Sequence, residues 1–164
     1  QRLRPLEEAA ARIRAAVQAR SSADFLIAAR SDATWIHGDF EDTVRRLQAY
    51  AGAGADLVFP TGVSPAQLAE IRRRVPRPAM IVDMPGATLD DEARAGAAIV
   101  LYYGLSALVH YDALDRALAT FKATRDASAV PGYRERVQAF EDFMGYREFA
   151  ARARRAGADP KDKP

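Results

Sequence analysis

Four continuous apolar runs alternate with helical patterns along this chain, and this alternation limits the possible folds more than any other feature of the sequence. The runs lie near residues 25–30, 55–60, 78–83 and 97–103. Each is apolar nearly throughout instead of alternating with polar residues, which is typical of parallel strands covered on both faces. The pattern predicts an α/β fold of four parallel strands, each followed by a helix, with Phe25–Ala29 forming a buried strand.

The segments between the runs carry helix signals. Pro5 and the acidic residues after it suit a helix N-terminus, and Ser64 and Thr88 are predicted to cap two further helices. The segments "AGAGADLVF" and "ARAGAAIVL" each place an Ala-Gly-Ala corner between a helix and the next strand, where glycine permits a left-handed turn. Pro131 separates the long helix after the fourth run from a last helical region over residues 133–157.

Composition excludes several classes of function. The 24 Lys and Arg residues nearly balance the 22 Asp and Glu residues and are scattered, so no basic stripe predicts a nucleic-acid partner. With no cysteine, the segment contains no disulfide and no thiolate metal site. No apolar run is as long as a membrane span, and "QRLRPLEEAA" does not have the pattern of a signal peptide. We therefore expect a cytoplasmic protein that does not contact a membrane.

Polar side chains follow the apolar runs where the strands are predicted to end. In parallel α/β folds, ligand sites form beyond the carboxyl ends of the strands. Arg30 follows the first run, Thr61 the second and Asp83 the third. The planar guanidinium of Arg30 suits a carboxylate or a phosphate, although Asp32 could simply neutralise it. Arg30, Thr61 and Asp83 are the predicted substrate-binding residues, and the alternative for each is a solvated side chain at a strand end.

Three other features suggest chemistry but have simpler interpretations. His37, in the loop after the first run, could donate a proton over a site, but loop histidines more often have no role. His110 lies within a helical segment, where packing is favoured. The acidic run "DDE" at residues 90–92 imitates a metal cluster, but acidic residues in the first turn of a helix already complement its dipole.

Two architectures accommodate four strand–helix units. The first is half of an eight-stranded (β/α)₈ barrel, which takes about 250 residues when complete. The second is an open, doubly wound sheet. Such a sheet usually carries a glycine-rich phosphate loop near its first strand, and this chain has none there.

Three segments in order carry a resemblance to a known family. The segments "AARIRAAVQARSSADFLIAARSDA", "AYAGAGADLVF" and "VPRPAMIVDMPG" resemble the second half of the isocitrate lyase / phosphoenolpyruvate mutase superfamily, over most of residues 5–125. The resemblance implies that residues 1–130 are strands five to eight of a (β/α)₈ TIM barrel. It also implies that residues 131–164 are a C-terminal helical extension exchanged between the subunits of a homo-oligomer, a dimer or tetramer. Because the sequence starts in mid-pattern, we expect it to be the second part of a longer barrel.

The same resemblance implies a chemistry. Members of the superfamily make or break a C–C or P–C bond beside a 2-oxo or 2-hydroxy acid, with Mg²⁺ as cofactor and through an enolate. Arg30 corresponds to the family arginine that contacts the carboxylate of the substrate. The metal ligands of the family belong to its first four strands, so no metal ligand and no catalytic acid or base is predicted within these 164 residues.

Three positions depart from the family pattern. Thr61 stands where many of the lyases have glutamate, Asp83 where many have asparagine, and Tyr103 where proline is common. These departures predict a divergent member, similar to 2-methylisocitrate lyase or to carboxyvinyl-carboxyphosphonate phosphorylmutase, that cleaves or decarboxylates a small di- or tricarboxylic acid. P–C bond chemistry and a non-catalytic barrel relative with an anion pocket are the alternatives.

Overall fold

The computed structural model describes residues 2–157, and its centre is a four-stranded parallel sheet. The strands are β1 (Ala28–Ser31), β2 (Leu57–Pro60), β3 (Ala79–Val82) and β4 (Ala97–Leu101). They lie in the order β1-β2-β3-β4, and all three neighbouring pairs are parallel. The prediction of four parallel strands is confirmed, and each strand pairs with its neighbours in sequence, as in the wall of a barrel.

Helices separate the strands as the periodicity predicts. Before and between the strands lie α1 (Leu6–Ala19), α2 (Ala33–His37), α3 (Phe40–Gly52), α4 (Pro65–Arg74) and α5 (Leu89–Arg94). After β4 come α6 (Tyr103–Thr124), a short 3₁₀ turn (Ala127–Ala129), α7 (Tyr133–Phe143) and α8 (Tyr146–Arg155). Both predicted caps form: Ser64 makes a capping box with Gln67, and Thr88 makes one with Asp91.

The chain divides into two compact units, Gln1–Tyr103 and Gly104–Pro164. Of the described elements, the first contains the sheet with α1–α5, and the second contains α6 from Gly104 onwards, α7 and α8. No residue of α6 is buried, and His110 on this helix is exposed. The packing role predicted for His110 is therefore not seen among the described residues. No helix among residues 2–157 is long and apolar enough to cross a membrane.

The hydrophobic core lies on one face of the sheet. Ala29, Ala79 and Ile81 alternate along β1 and β3 with less buried residues and pack against the apolar side chains of α3 and α4. We call the opposite side the open face; it carries Arg30, Met80, Val82, Ile99 and Leu101, which are half-buried or exposed. Within the unit Gln1–Tyr103 the helices pack on the core face, so helices covering the second face are not seen among the described residues of this unit, although Phe59, which pairs with Arg30, is buried. Because the open face also carries apolar residues, the four strand segments read in the sequence as continuous apolar runs.

The first apolar run is only partly a strand. Phe25 and Leu26 are 65% and 56% exposed, and the ladder begins at Ala28. Asp56 accounts for this late start: its carboxylate accepts the Ile27 backbone N–H at 2.8 Å and the Arg20 guanidinium at 2.6 Å. These bonds fix the chain just before the sheet begins. The prediction that Phe25–Ala29 is a buried strand is therefore wrong in its first half.

Glycine ends the turns before β2 and β4, as the repeated corner predicts. Gly54 and Gly96 have φ angles of +99° and +93°, in the left-handed region that favours glycine. At Gly96 a Cβ atom would also lie 2.9 Å from Cγ of Arg72. The two corners set the direction in which the chain enters the next strand.

Candidate functional site

The carboxyl ends of β1 and β2 bring together Arg30, Asp32 and Thr61. Arg30 Nε donates a hydrogen bond to Asp32 Oδ1 at 2.6 Å, and the Thr61 hydroxyl donates to the same oxygen at 2.6 Å. Thr61 is buried and its backbone N–H donates to the Ser31 carbonyl, which continues the strand pairing by one residue. The prediction that these strand ends converge is confirmed for Arg30 and Thr61.

A glycine brings the two loops this close. Gly62 follows Thr61 and has a φ of +68°, and a Cβ atom there would lie 2.7 Å from the backbone Cα of Trp35. Since backbone cannot move aside as a flexible side chain can, only glycine fits without a shift of one loop. The close approach of the loop after β2 to α2 holds Thr61 beside Asp32.

The Arg30 guanidinium is fixed at one end and available at the other. Its carbon lies 5.2 Å from the centroid of the Phe59 ring and 5.9 Å from that of Trp35, within the range of cation–π attraction. Nε is taken by Asp32, and the described residues give the two terminal nitrogens no hydrogen-bond partner. The Arg30 side chain is 46% exposed. A guanidinium held in this way presents its terminal nitrogens to an anion, and Asp32 orients it as well as balancing its charge.

Asp83 lies at the same edge of the sheet but outside this cluster. It follows β3, so β2 separates it from Arg30, and its backbone N–H donates to the Leu101 carbonyl at 3.2 Å. Among the described residues, no hydrogen bond or ion pair joins the Asp83 side chain to Arg30, Asp32 or Thr61. The structure therefore joins two of the three predicted substrate-binding residues, Arg30 and Thr61, through their shared partner Asp32.

Sequence reasoning missed a buried carboxylate near Asp83. Glu92 on α5 is 1% exposed, and it accepts hydrogen bonds of 2.7 Å from the Met84 backbone N–H and from the Tyr102 hydroxyl. The bond to Glu92 raises the pKa of the Tyr102 hydroxyl to about 12. Because Met84 directly follows Asp83, Glu92 fixes the backbone of this strand end. The signal was its spacing: Glu92 lies three positions before the buried Ala95, on the same side of α5.

The other candidate ligands do not assemble a metal site. Within residues 2–157, no three His, Cys, Asp or Glu side chains lie close enough together to hold a metal ion. In the acidic run, hydrogen bonds from Thr88 lower the pKa of Asp91 to about 2, and Glu92 is turned into the core. His37 is exposed at the end of α2. All three acidic residues lie in the first turn of α5, as the interpretation requires, and Glu92 is in addition buried.

Comparison with known proteins gives this geometry its context. The sequence profile of the phosphoenolpyruvate phosphomutase family matches residues 1–122. A 2-methylisocitrate lyase of Salmonella typhimurium is 39% identical over 118 residues, which are 68% of this chain and 38% of that protein. The chain thus spans little more than a third of the length of this curated relative.

Two solved structures share the fold. One is 2,3-dimethylmalate lyase, a member of the PEP mutase/isocitrate lyase superfamily; it is 25% identical with a TM-score of 0.70, and the match covers 91% of this chain and 57% of that one. The other is phosphonopyruvate hydrolase in complex with oxalate and Mg²⁺; it is 26% identical with a TM-score of 0.70, over 94% of this chain and 57% of that one. The four strand–helix units correspond to about half of each structure.

Proposed function

Because the chain belongs to the phosphoenolpyruvate mutase / isocitrate lyase superfamily, we propose that it supplies the carboxylate-binding side of the active site of a lyase. The substrate is a small 2-oxo or 2-hydroxy di- or tricarboxylic acid, and the reaction is C–C bond cleavage or decarboxylation through an enolate. One observation carries the proposal: Arg30 stands at the carboxyl end of β1 with its Nε held by Asp32 and its terminal nitrogens available.

In this reaction Arg30 binds the carboxylate beside the reacting carbon. When the C–C bond breaks, its electron pair passes into the enolate next to that carboxylate, and a fixed guanidinium stabilises the added negative charge without having to reorient. Asp32 holds Nε, and Thr61 in turn holds Asp32 through the shared oxygen Oδ1. Asp83 is proposed as a further polar contact to the substrate at the end of β3.

The proposal includes dependence on Mg²⁺. Its support is the structural neighbour phosphonopyruvate hydrolase, which was solved with oxalate and Mg²⁺. The described residues do not gather three metal-ligand side chains, so we assign the ligands to strands other than the four seen here. When bound, the ion would stabilise negative charge on the oxygens of the substrate, and the roles given to Arg30, Asp32 and Thr61 do not depend on its position.

The proposal also covers assembly. We assign residues 1–130 to the barrel half and residues 131–164 to a helical extension that packs on another subunit of a homo-oligomer. The support is the apolar surface of α7 and α8, where Phe140, Phe143 and Phe149 are 58%, 84% and 73% exposed. Clusters of exposed aromatic residues are typical of protein–protein contact surfaces.

P–C bond cleavage is the second candidate, favoured by the similarity to phosphonopyruvate hydrolase. A turnover assay separates the candidates: purified protein that includes the strands assigned to the metal ligands is given Mg²⁺ and 2-methylisocitrate, 2,3-dimethylmalate or phosphonopyruvate in turn, and products are followed by NMR. Cleavage of either carbon acid supports the lyase, whereas release of phosphate from phosphonopyruvate supports the second candidate. If none of the three reacts, the enzyme proposal is wrong and a non-catalytic barrel relative is favoured.

The role of Arg30 is tested on the substrate that reacts. Arg30→Lys keeps the charge but loses the two-pronged geometry, so kcat/KM should fall at least about tenfold, equivalent to about 1.4 kcal/mol. Arg94→Gln, which alters an exposed arginine on α5, is the control. Full kcat/KM in both Arg30→Lys and Arg30→Ala would show that Arg30 is only a structural residue at the strand end.

A further inference from the structure

One buried carboxylate ties together the carboxyl ends of β3 and β4. Oε1 of Glu92 accepts the Met84 backbone N–H at 2.7 Å, and Oε2 accepts the Tyr102 hydroxyl at 2.7 Å. Met84 lies two residues beyond β3, and Tyr102 directly follows β4. Each oxygen of Glu92 thus holds the end of a different strand. The reaction proposed above gives Glu92 no role.

Stability alone does not call for a carboxylate at this position. Glu92 is 1% exposed, and burying a carboxylate is unfavourable unless its oxygens are hydrogen-bonded. Even a well-bonded buried charge often contributes no more to stability than an apolar side chain of similar size. What an apolar side chain would not do is hold the two strand ends, so this function accounts for the carboxylate.

Asp83 lies between two backbone groups that are both held. Its own N–H donates to the Leu101 carbonyl at 3.2 Å, which extends the pairing of β3 with β4 by one residue. The next N–H along the chain, that of Met84, is the one bound by Glu92. Because the peptide groups on both sides of its Cα are held, the Asp83 backbone has little freedom to rotate. Without Glu92, only the first of these two bonds would remain.

The Asp83 carboxylate keeps acceptor capacity for a ligand. It is half-buried, and the described residues give its side chain no hydrogen bond or ion pair. It lies near the Tyr102 hydroxyl: the hydrogen bond to Glu92 raises the pKa of Tyr102 to about 12, and the negative charge of Asp83 adds to this rise. An ionised carboxylate accepts hydrogen bonds and donates none. A substrate group that suits Asp83 is therefore a donor, such as a hydroxyl.

We infer that Glu92 is a positioning residue for Asp83: it holds the Met84 N–H, its own carboxylate is oriented by Tyr102, and it thereby directs the Asp83 carboxylate to a hydroxyl group of the substrate. The inference rests on the proposed function, which gives Asp83 a polar contact with the substrate. It adds a residue that acts without touching the substrate. Its measurable consequence is a preference for an acid with a hydroxyl over the same acid without one.

The inference is tested by isothermal titration calorimetry of the purified protein, including the strands assigned to the metal ligands, with Mg²⁺ and two probes. One probe is the tighter-binding enantiomer of malate, and the other is succinate, which lacks only the hydroxyl; NMR checks that neither is consumed. The measured quantity is the preference for malate, which is the ratio of the two dissociation constants. A general loss of stability weakens both probes alike and leaves this ratio unchanged. The wild type should bind malate at least about tenfold more tightly than succinate.

Variants of Glu92 separate its hydrogen bonds from its charge. Glu92→Leu removes both bonds and should lower the preference for malate at least about fivefold. Glu92→Gln can keep the Met84 N–H on its carbonyl oxygen and should lower the preference less than about twofold. Asp90→Asn, an exposed change on the same helix, is the matched control and should leave the preference unchanged.

A second pair of variants shows whether Glu92 acts through Asp83. In an Asp83→Ala background, Glu92→Leu should have no further effect on the preference, because the residue through which it acts is absent. Thermal melts check that each variant is folded at the assay temperature. If Glu92→Leu does not fold, Tyr102→Phe replaces it, since this change frees one oxygen of Glu92 and should lower the preference about twofold.

The outcomes separate this inference from the proposed function. The inference is wrong if the wild type does not prefer malate, or if the substitution used, Glu92→Leu or Tyr102→Phe, keeps the wild-type preference or lowers it equally with and without Asp83. It is also wrong if Glu92→Gln lowers the preference as much as Glu92→Leu, since charge would then explain the effect. Turnover by the wild type would leave the proposed function standing in each of these cases. A preference that depends on Glu92, without turnover of any substrate, would contradict the proposed function alone, and a protein that binds neither acid would contradict both.

Discussion

The Thr61 hydroxyl and the Asp32 carboxylate are joined by a hydrogen bond of 2.6 Å across the ends of two neighbouring strands. The oxygen that accepts this bond also accepts Nε of Arg30. Thr61 thus acts on the guanidinium through Asp32, without any described bond to it. In the proposed reaction it is a positioning residue.

Thr61→Val tests this relationship, because valine keeps the shape of threonine and removes the hydroxyl. The unfolding free energy should fall by about 1 kcal/mol, the usual contribution of one hydrogen bond, and kcat/KM should fall several-fold. Thr61→Ser retains the hydroxyl and should restore kcat/KM. Steady-state kinetics and urea denaturation give the two quantities. Equal kcat/KM in the valine and serine variants would show that the hydroxyl does not position Arg30.

Gly62→Ala should disturb the same site from the backbone. A methyl group at Gly62 would meet the backbone of Trp35, whereas a methyl group at Gly38, which has a similar φ of +69°, would have nothing within 4 Å. Gly38→Ala therefore measures the strain of the positive φ alone, about 1 kcal/mol. We expect Gly62→Ala to be less stable than Gly38→Ala by at least about 1 kcal/mol and to lose activity as well. Equal unfolding free energies of the two variants in urea would show that the loop after β2 shifts to accommodate the methyl group without a measurable cost.

Glu92→Gln should lower the unfolding free energy of the protein, although glutamine has nearly the same size and shape as glutamate. The carboxylate accepts from two donors, the Met84 N–H and the Tyr102 hydroxyl. A carboxamide has one acceptor oxygen, so if that oxygen keeps the Met84 N–H, the Tyr102 hydroxyl must accept from the NH₂ group instead of donating. The bond to a charged carboxylate is then lost, at a cost of about 1–3 kcal/mol. Asp90→Asn, an exposed change on the same helix, is the control and should be neutral. A Glu92→Gln variant as stable as Asp90→Asn would show that water or a side-chain rearrangement satisfies both donors.

Ionisation of the Tyr102 hydroxyl should make the unfolding free energy of the protein depend on pH in the alkaline range. Its pKa is raised from 10.0 to about 12 by the hydrogen bond to Glu92. A raised pKa means that the folded state holds the proton more tightly, so this stabilisation is complete below pH 10 and is lost as the pH rises towards 12. The Tyr102→Phe variant has no hydroxyl and therefore lacks this stabilisation. The difference in unfolding free energy between wild type and Tyr102→Phe should therefore shrink between pH 10 and 12, and a constant difference would contradict the prediction.

The sequence was most informative where local chemistry decides the structure. The capping residues Ser64 and Thr88 depend only on neighbours three positions away, and the strand order follows from the alternation of runs and helices. The convergence of Arg30 and Thr61 was predictable because carboxyl ends of parallel strands share one edge. The two hydrogen bonds that join Arg30 and Thr61 to the same Asp32 oxygen were not predictable, because they depend on the close approach of two loops.

The errors have a common physical origin in long-range contacts. Phe25 and Leu26 look like strand residues, but Asp56, about 30 positions later, captures the backbone at Ile27 and delays the ladder. Glu92 looks like surface charge, but Tyr102 and Met84 supply the hydrogen bonds that allow a carboxylate to be buried.

The order of the strands has a consequence for folding kinetics. Every pair in the sheet joins strands that are neighbours in sequence, with one helical connection between them. Contacts of short sequence separation form quickly, because little loop entropy is lost in making them. Each strand–helix unit can therefore add to the previous one while the chain is still being synthesised. In the proposed barrel, we expect the slow step to be closure along the outer edges of β1 and β4, because it joins strands that are far apart in sequence.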